Sequence, residues 1–186
     1  MLNKYRCLEK LAARRKDEIV ISTMGAAKPW EAISDTDLDF ASVDSAMGHA
    51  ADFALGLAMA KPERRMITLN GDGSMLMCLG TLVTIAQYPC PNYAMIILDN
   101  GQYEVTGNQV VPGSSFVDYE AIARGAGIVN VVTIDSESDF DDSLDLVFIQ
   151  PGPSIFIWKI EPANEPVPKF EKSLAERVKR LRKALV

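Results

Sequence analysis

Cysteine, histidine and long apolar runs are scarce in this chain. Its three cysteines, Cys7, Cys78 and Cys90, are an odd number without the paired spacing of a zinc or iron–sulfur site. Neither a disulfide framework nor a thiolate metal centre is indicated, and the three read as buried bystander thiols. The runs of low polarity, such as Phe53 to Ala60, fall far short of the roughly 20 residues that a membrane helix requires. Positive charge is also in deficit. Acidic residues outnumber basic ones by 25 to 19, a net charge of −6, which removes the electrostatic case for nucleic acid as a partner. No internal repeat or long low-complexity tract occurs. The opening Met1-Leu2-Asn3-Lys4-Tyr5-Arg6 lacks the apolar core of a secretion signal. Glu9, Asp17 and Glu18 interrupt the basic residues that a transit peptide would use, so the expected location is the cytoplasm, with no membrane partner.

What is present is a hydrophobic fraction of 48% over 186 residues, enough for one domain spanning 1–186 with a sizeable core. Apolar runs at 19–21, 66–69, 93–98, 130–134 and 154–160 predict strands. Helical patterns lie at 3–16, 47–60, 75–87, 118–126, 137–148 and 171–184. Strands that are apolar throughout and alternate with helices predict a three-layer αβα fold around a mainly parallel central sheet. Pro151-Gly152-Pro153 reads as a turn into the last strand. Prolines 162, 166 and 168 predict an extended connector, 163–170, to the terminal helix 171–184. The acidic stretch 135–142 reads as a solvated helix start. Basic residues of the last helix, among them Lys172, Arg177 and Arg180, read as solvent-facing, with docking of a partner chain as the alternative. Met75, Met77 and Leu79 read as core.

The chemistry concentrates in two turns. Met66-Ile67-Thr68-Leu69 runs into Gly71-Asp72-Gly73-Ser74 and then a helical pattern, which predicts a strand, a tight turn and a helix start. Backbone N–H groups at such a turn can hold phosphate oxygens. Gly71 and Gly73 permit a sharp turn and close approach, and Ser74 can cap the helix or bond a phosphate. A bare carboxylate would repel a diphosphate, so Asp72 makes sense with a cation between them. Mg²⁺ suits the role, since it takes hard oxygen ligands and commonly bridges phosphates. The second turn, Leu98-Asp99-Asn100-Gly101-Gln102-Tyr103, delivers Asn100 from the end of another strand. His49, the only histidine, reads as a packed or hydrogen-bonded residue at a helix start, with a catalytic role as the alternative. Lys28 and Trp30 read as surface-loop residues, with substrate contact as the alternative.

These paired turns, Gly-Asp-Gly-Ser and Asp-Asn-Gly-Gln-Tyr, resemble the diphosphate-binding domain of thiamine diphosphate-dependent enzymes. Ala46-Met47-Gly48-His49-Ala50, Leu79-Gly80-Thr81-Leu82 and Thr106-Gly107-Asn108-Gln109 look like the β subunits of sulfopyruvate and phosphonopyruvate decarboxylases. The resemblance covers roughly residues 18 to 162. It implies thiamine diphosphate and Mg²⁺ as cofactors, with Asp72, Asn100 and the Gln102 carbonyl on the metal. Gly25, Gly71, Gly73 and Ser74 would lie against the cofactor, Met47 would sit under its bend, the Ser45 carbonyl would meet its 4′-amino group, and Tyr103 would belong to a loop over it. The implied activity is non-oxidative decarboxylation of a small anionic 2-oxo acid. Alternatives are a carboligase or synthase subunit, or a non-catalytic cofactor-binding subunit. These enzymes also need an activating Glu from a pyrimidine-binding domain, for which 186 residues leave no room. The resemblance therefore implies an α-type partner subunit and a homodimer or larger hetero-oligomer. Where relatives carry a Thr-Gly pair and an Arg-containing segment, this chain has Met24-Gly25 and Lys28, which can replace the charge but not the bidentate fork.

Overall fold

The computed structural model describes residues 1–41, 47–162 and 168–186. Its centre is a sheet of six strands: β1 (Ile19–Ser22), β2 (Asp39–Ala41), β3 (Met66–Gly71), β4 (Tyr93–Asp99), β7 (Asn130–Ile134) and β8 (Ser154–Lys159). They lie in the order β2-β1-β3-β4-β8-β7, all parallel. Alternate side chains go to opposite faces, and both faces are apolar. Ile19, Ile21, Met66, Met95, Ile97, Ile155 and Ile157 form one core, whereas Val20, Ile67, Leu69, Ile96, Phe156 and Trp158 form the other. This double burial is why these strands read as continuous apolar runs.

Helices cover both faces, giving the three layers. On the second face lie α1 (Lys4–Arg14), α2 (Ala27–Ile33), α7 (Glu137–Ser143) and α8 (Leu146–Ile149). On the first lie α3 (Ala50–Ala60), α5 (Gly80–Gln87), α6 (Tyr119–Gly125) and α9 (Leu174–Ala184). In α1, Lys4, Cys7, Leu8 and Leu11 are buried at helical spacing, and the Asn3 side chain caps the first turn by accepting from Arg6 N–H. In α9, Ser173 and Glu176 form a reciprocal capping box.

The topology places the site. After β1 the chain moves outward to β2. It then returns across β1 to β3, and β4 and β8 follow on the other side. The C-terminal ends of β1 and β3 are thus a switch point, where the flanking connections diverge and leave a crevice.

Several elements differ from expectation. The helix expected over 75–87 is broken into α4 (Asp72–Met77) and α5, because Cys78 adopts the non-helical φ −133°, ψ 47° and Gly80 follows. The helix expected over 137–148 is likewise two, α7 and α8. The stretch carrying Lys28 and Trp30 is the helix α2, not a surface loop. Trp30 is buried and donates from Nε1 to Asp39 Oδ1 at 2.8 Å. Lys28 lies over the Phe170 ring. Of the basic residues expected to face solvent at the C-terminus, Lys179, Arg182 and Lys183 do so, but three others do not. Arg180 of α9 pairs with Asp35 and Asp37, Lys172 before the helix pairs with Asp35, and Arg177 is buried with its guanidinium 4.0 Å from the Phe170 ring centre. Residues 163–167 of the connector lie outside the described part, and the terminal helix starts at Leu174 rather than 171.

Candidate active site

A cavity of about 260 Å³ opens at the switch point. Its walls come from the turn after β1 (Met24, Gly25, Ala26), the start of α4 (Gly71 to Ser74), Met47, and the segment after β4 (Asn100 and Gln102 to Thr106). That last segment forms a small hairpin absent from the sequence reading: β5 (Gln102–Tyr103) pairs antiparallel with β6 (Gln109–Val110), and a 3₁₀ turn over Glu104–Thr106 lies between them. Gly101, Gly107 and Asn108 have positive φ, which lets so short a hairpin turn back.

Of the residues singled out from the sequence, Gly25, Met47, Gly71, Asp72, Gly73, Ser74, Asn100, Gln102 and Tyr103 all line this cavity. Ser45 lies outside the described residues. His49 does not line the cavity. It is largely exposed at the N-terminal end of α3 and bonds the Asp52 carboxylate through Nδ1 at 2.8 Å. Met77, expected in the core, is instead half exposed on the cavity wall, whereas Met75 is buried.

The glycines act differently from expectation. Neither Gly71 nor Gly73 has a positive φ, so the turn does not need them for backbone freedom. Gly73 is needed for space, because a Cβ there would come within 2.3 Å of the Tyr103 ring. Gly71 faces open space, with nothing within 4 Å of a Cβ position. Ser74 does not cap α4. Its Oγ accepts from Gly48 N–H at 2.7 Å, tying the approach to α3 to the Gly-Asp-Gly turn.

Asp72 is the electrostatic centre. Its carboxylate is 3% exposed, and its Oδ2 accepts from Gly101 N–H at 2.7 Å. Burial raises its pKa to about 6; the Gly73 and Gly101 amides oppose the shift, and the negative charge of Asp99 adds to it. Asp99 itself pairs with Lys159 from the neighbouring strand. Among the described residues, no positive side chain is among the groups that set this shift. Asn100 presents an amide oxygen on the same wall; that Oδ1 also accepts from Gln102 N–H at 2.9 Å, which uses one of its two lone pairs.

Sequence reasoning did not find two further lining residues, Lys4 and Glu104. Their side chains are 4% and 9% exposed and meet at 2.6 Å, joining α1 to the hairpin. Glu104 Oε2 would also lie 2.9 Å from a Cβ at Gly25. They are 100 positions apart, and nothing local signals that they pair.

A crevice at the switch point of a parallel sheet, with a Gly-Asp-Gly turn and an Asp/Asn pair on its walls, defines a cofactor-binding α/β domain of the diphosphate-holding kind. Residues 19–157 match the model of the thiamine pyrophosphate enzyme C-terminal TPP-binding domain, and the chain belongs to that family. It is 33% identical over 97% of its length to the sulfopyruvate decarboxylase subunit beta of Methanothermobacter thermautotrophicus, of which it spans 94%. It is 36% identical over 87% of its length to the phosphonopyruvate decarboxylase of Streptomyces viridochromogenes, of which it spans 40%. Its kinship therefore lies with thiamine pyrophosphate-dependent decarboxylases. An X-ray structure of a protein from Mycobacterium smegmatis, described as a thiamin diphosphate-dependent enzyme, shares the fold with a TM-score of 0.72. That match is at 22% identity and covers 87% of this chain and 32% of the other.

The residues present fit the family's cofactor. The cavity offers open space at Gly71 and hard oxygen donors on Asp72 and Asn100. Its buried carboxylate requires a cation before a diphosphate can lie beside it.

Proposed function

We propose that the chain is the β subunit of a thiamine diphosphate- and Mg²⁺-dependent non-oxidative decarboxylase acting on a small anionic 2-oxo acid of the sulfopyruvate or phosphonopyruvate kind. The observation that carries this reading is Asp72. It is a buried carboxylate with a raised pKa, and it shares a cavity wall with Asn100 and Gln102. In this reading the Asp72 carboxylate, the Asn100 amide oxygen and the Gln102 carbonyl would hold Mg²⁺. The cation would offset the cost that burial imposes on Asp72 and supply positive charge for the diphosphate. Gly71, Gly73 and Ser74 would hold the diphosphate, and Gly25 and Met47, which line the same cavity, would contact the cofactor. When bound, the thiazolium supplies an electron sink for the pair left by departing carbon dioxide. The protein's own part is to hold that ring, exclude water with the apolar wall, and orient the acid.

A partner chain completes the site. This chain spans 94% of a relative named as a β subunit, but 40% and 45% of two longer decarboxylases whose names carry no subunit label. A separate α-type subunit is therefore the expected source of the activating Glu. The assembly is expected to be a homodimer or a larger hetero-oligomer. The cytoplasm remains the expected location, and no helix among the described residues is long and apolar enough to cross a membrane.

Isothermal titration of thiamine diphosphate with Mg²⁺ tests this, using the chain alone and mixed with its candidate α partner, wild type against Asp72→Ala. The expected result is binding that requires Mg²⁺, strengthens with partner and disappears in the variant. No binding even with partner would overturn the reading. Product analysis then separates decarboxylation, which gives free aldehyde, from carboligation, which gives a hydroxy-ketone.

A further inference from the structure

Beside the cavity stands a second set of reactive groups that the decarboxylase reading does not use. Cys78 Sγ lies 3.7 Å from His49 Nε2, and His49 Nδ1 lies 2.8 Å from Asp52 Oδ2. With Nδ1–H donating to the carboxylate, Nε2 carries a lone pair facing the thiol. This is the nucleophile, base and orienting-carboxylate order of an activated cysteine. The backbone creates it. Cys78 leaves helical geometry at the end of α4, and its sulfur turns back onto Gly48, where a Cβ would come within 2.5 Å of Sγ. His49 and Asp52 stand three positions apart at the start of α3. His49 is 63% exposed, so reagents can reach the group.

We propose that Cys78, half-buried rather than buried as expected, is a His49-activated thiol and a modification site for soft electrophiles and peroxides. The other two thiols are poorer nucleophiles: burial pushes Cys7 up to about 12 and also raises Cys90. With iodoacetamide, sulfur displaces iodide, a carbon–sulfur bond forms, and the thiol proton passes to His49. With hydrogen peroxide, sulfur attacks one oxygen and the O–O bond breaks. Sulfur loses two electrons to become sulfenic acid, and the other oxygen leaves as water with the proton held by His49. The added atoms crowd Gly48, which has φ +82° and is pinned to Ser74, and so reach Met47 on the cavity wall. Modification should therefore weaken cofactor binding; this consequence rests on the proposed cofactor site, whereas the thiol's reactivity does not.

The test is limiting iodoacetamide on the full chain without cofactor, with the rate at each cysteine read by peptide mass spectrometry. Cys78 should react fastest. His49→Gln, at an exposed position, should slow it at least about tenfold, and Asp52→Asn less. Circular dichroism checks that each variant is folded. Fastest reaction at Cys90, or an unchanged rate in folded His49→Gln, would overturn the proposal. Peroxide-treated wild type should then lose thiamine diphosphate affinity by about tenfold or more while Cys78→Ser keeps it. Full affinity after complete Cys78 oxidation would sink the link to the cavity. An untreated chain that never binds cofactor would sink the cofactor reading and leave the alkylation result standing.

Discussion

Asp72 carries a cost that only a ligand relieves, and that cost is measurable without one. Its pKa in the fold is about 6, above the ordinary 3.8, so the folded chain binds this proton more tightly than the unfolded chain does. Stability from this group is therefore full in acid and falls as pH rises from about 4 through about 6, by roughly 3 kcal/mol in total. Asp72→Asn removes the penalty. In urea unfolding of the metal-free chain at pH 8, the variant should be more stable than wild type by up to about 3 kcal/mol, and the gain should shrink toward pH 5. The same variant should lose the Mg²⁺-dependent rise in melting temperature on adding thiamine diphosphate, a trade of function against stability. An equal difference at both pH values would refute this account. Asp72 and Asn100 were legible in the sequence because each ends a strand at a turn. The reason for Gly73 was not, since the ring that requires its bareness belongs to Tyr103 across the cavity.

At the scale of elements, α1 and the β5–β6 hairpin are joined by Lys4 and Glu104 on the cavity wall. Both side chains are at least nine-tenths buried, so solvent screens their attraction little. Lys4→Met should destabilise the fold by roughly 1.5–3 kcal/mol, the worth of a charged hydrogen bond, and the double variant Lys4→Met, Glu104→Gln by clearly less than the sum of the singles. Denaturant melts of the four proteins would show it; additive losses would mean that the pair is not coupled. The long apolar strands and α1, α3 and α6 could be read from periodicity, but α2 and β2 could not. The helix α2, whose Lys28 and Trp30 read as loop residues, is only seven residues long and has Pro29 in its first turn, where the missing N–H costs no helical bond. Strand β2 is three residues at the sheet edge with no apolar run, and it exists because β1 offers it a partner.

For the molecule as a whole, the proposed reading assigns one wall of the site to this chain and the activating Glu to a partner. The purified chain should show no turnover of sulfopyruvate or phosphonopyruvate with thiamine diphosphate and Mg²⁺, and activity should appear on adding the α-type chain. Clear turnover by the chain alone would remove the need for a partner. By itself the sequence determined the layered parallel sheet, the family and the two turns that form the candidate metal site. These depend on local periodicity, strand ends and short motifs, each written within a few consecutive residues. Only the tertiary structure decided that Lys4 meets Glu104, that Tyr103 lies on Gly73, that Arg180 of α9 pairs with Asp35 and Asp37, and that Cys78 faces His49. Each of these pairs residues far apart in the chain, and their contact follows from the order in which the strands assemble rather than from any pattern a local reading can detect.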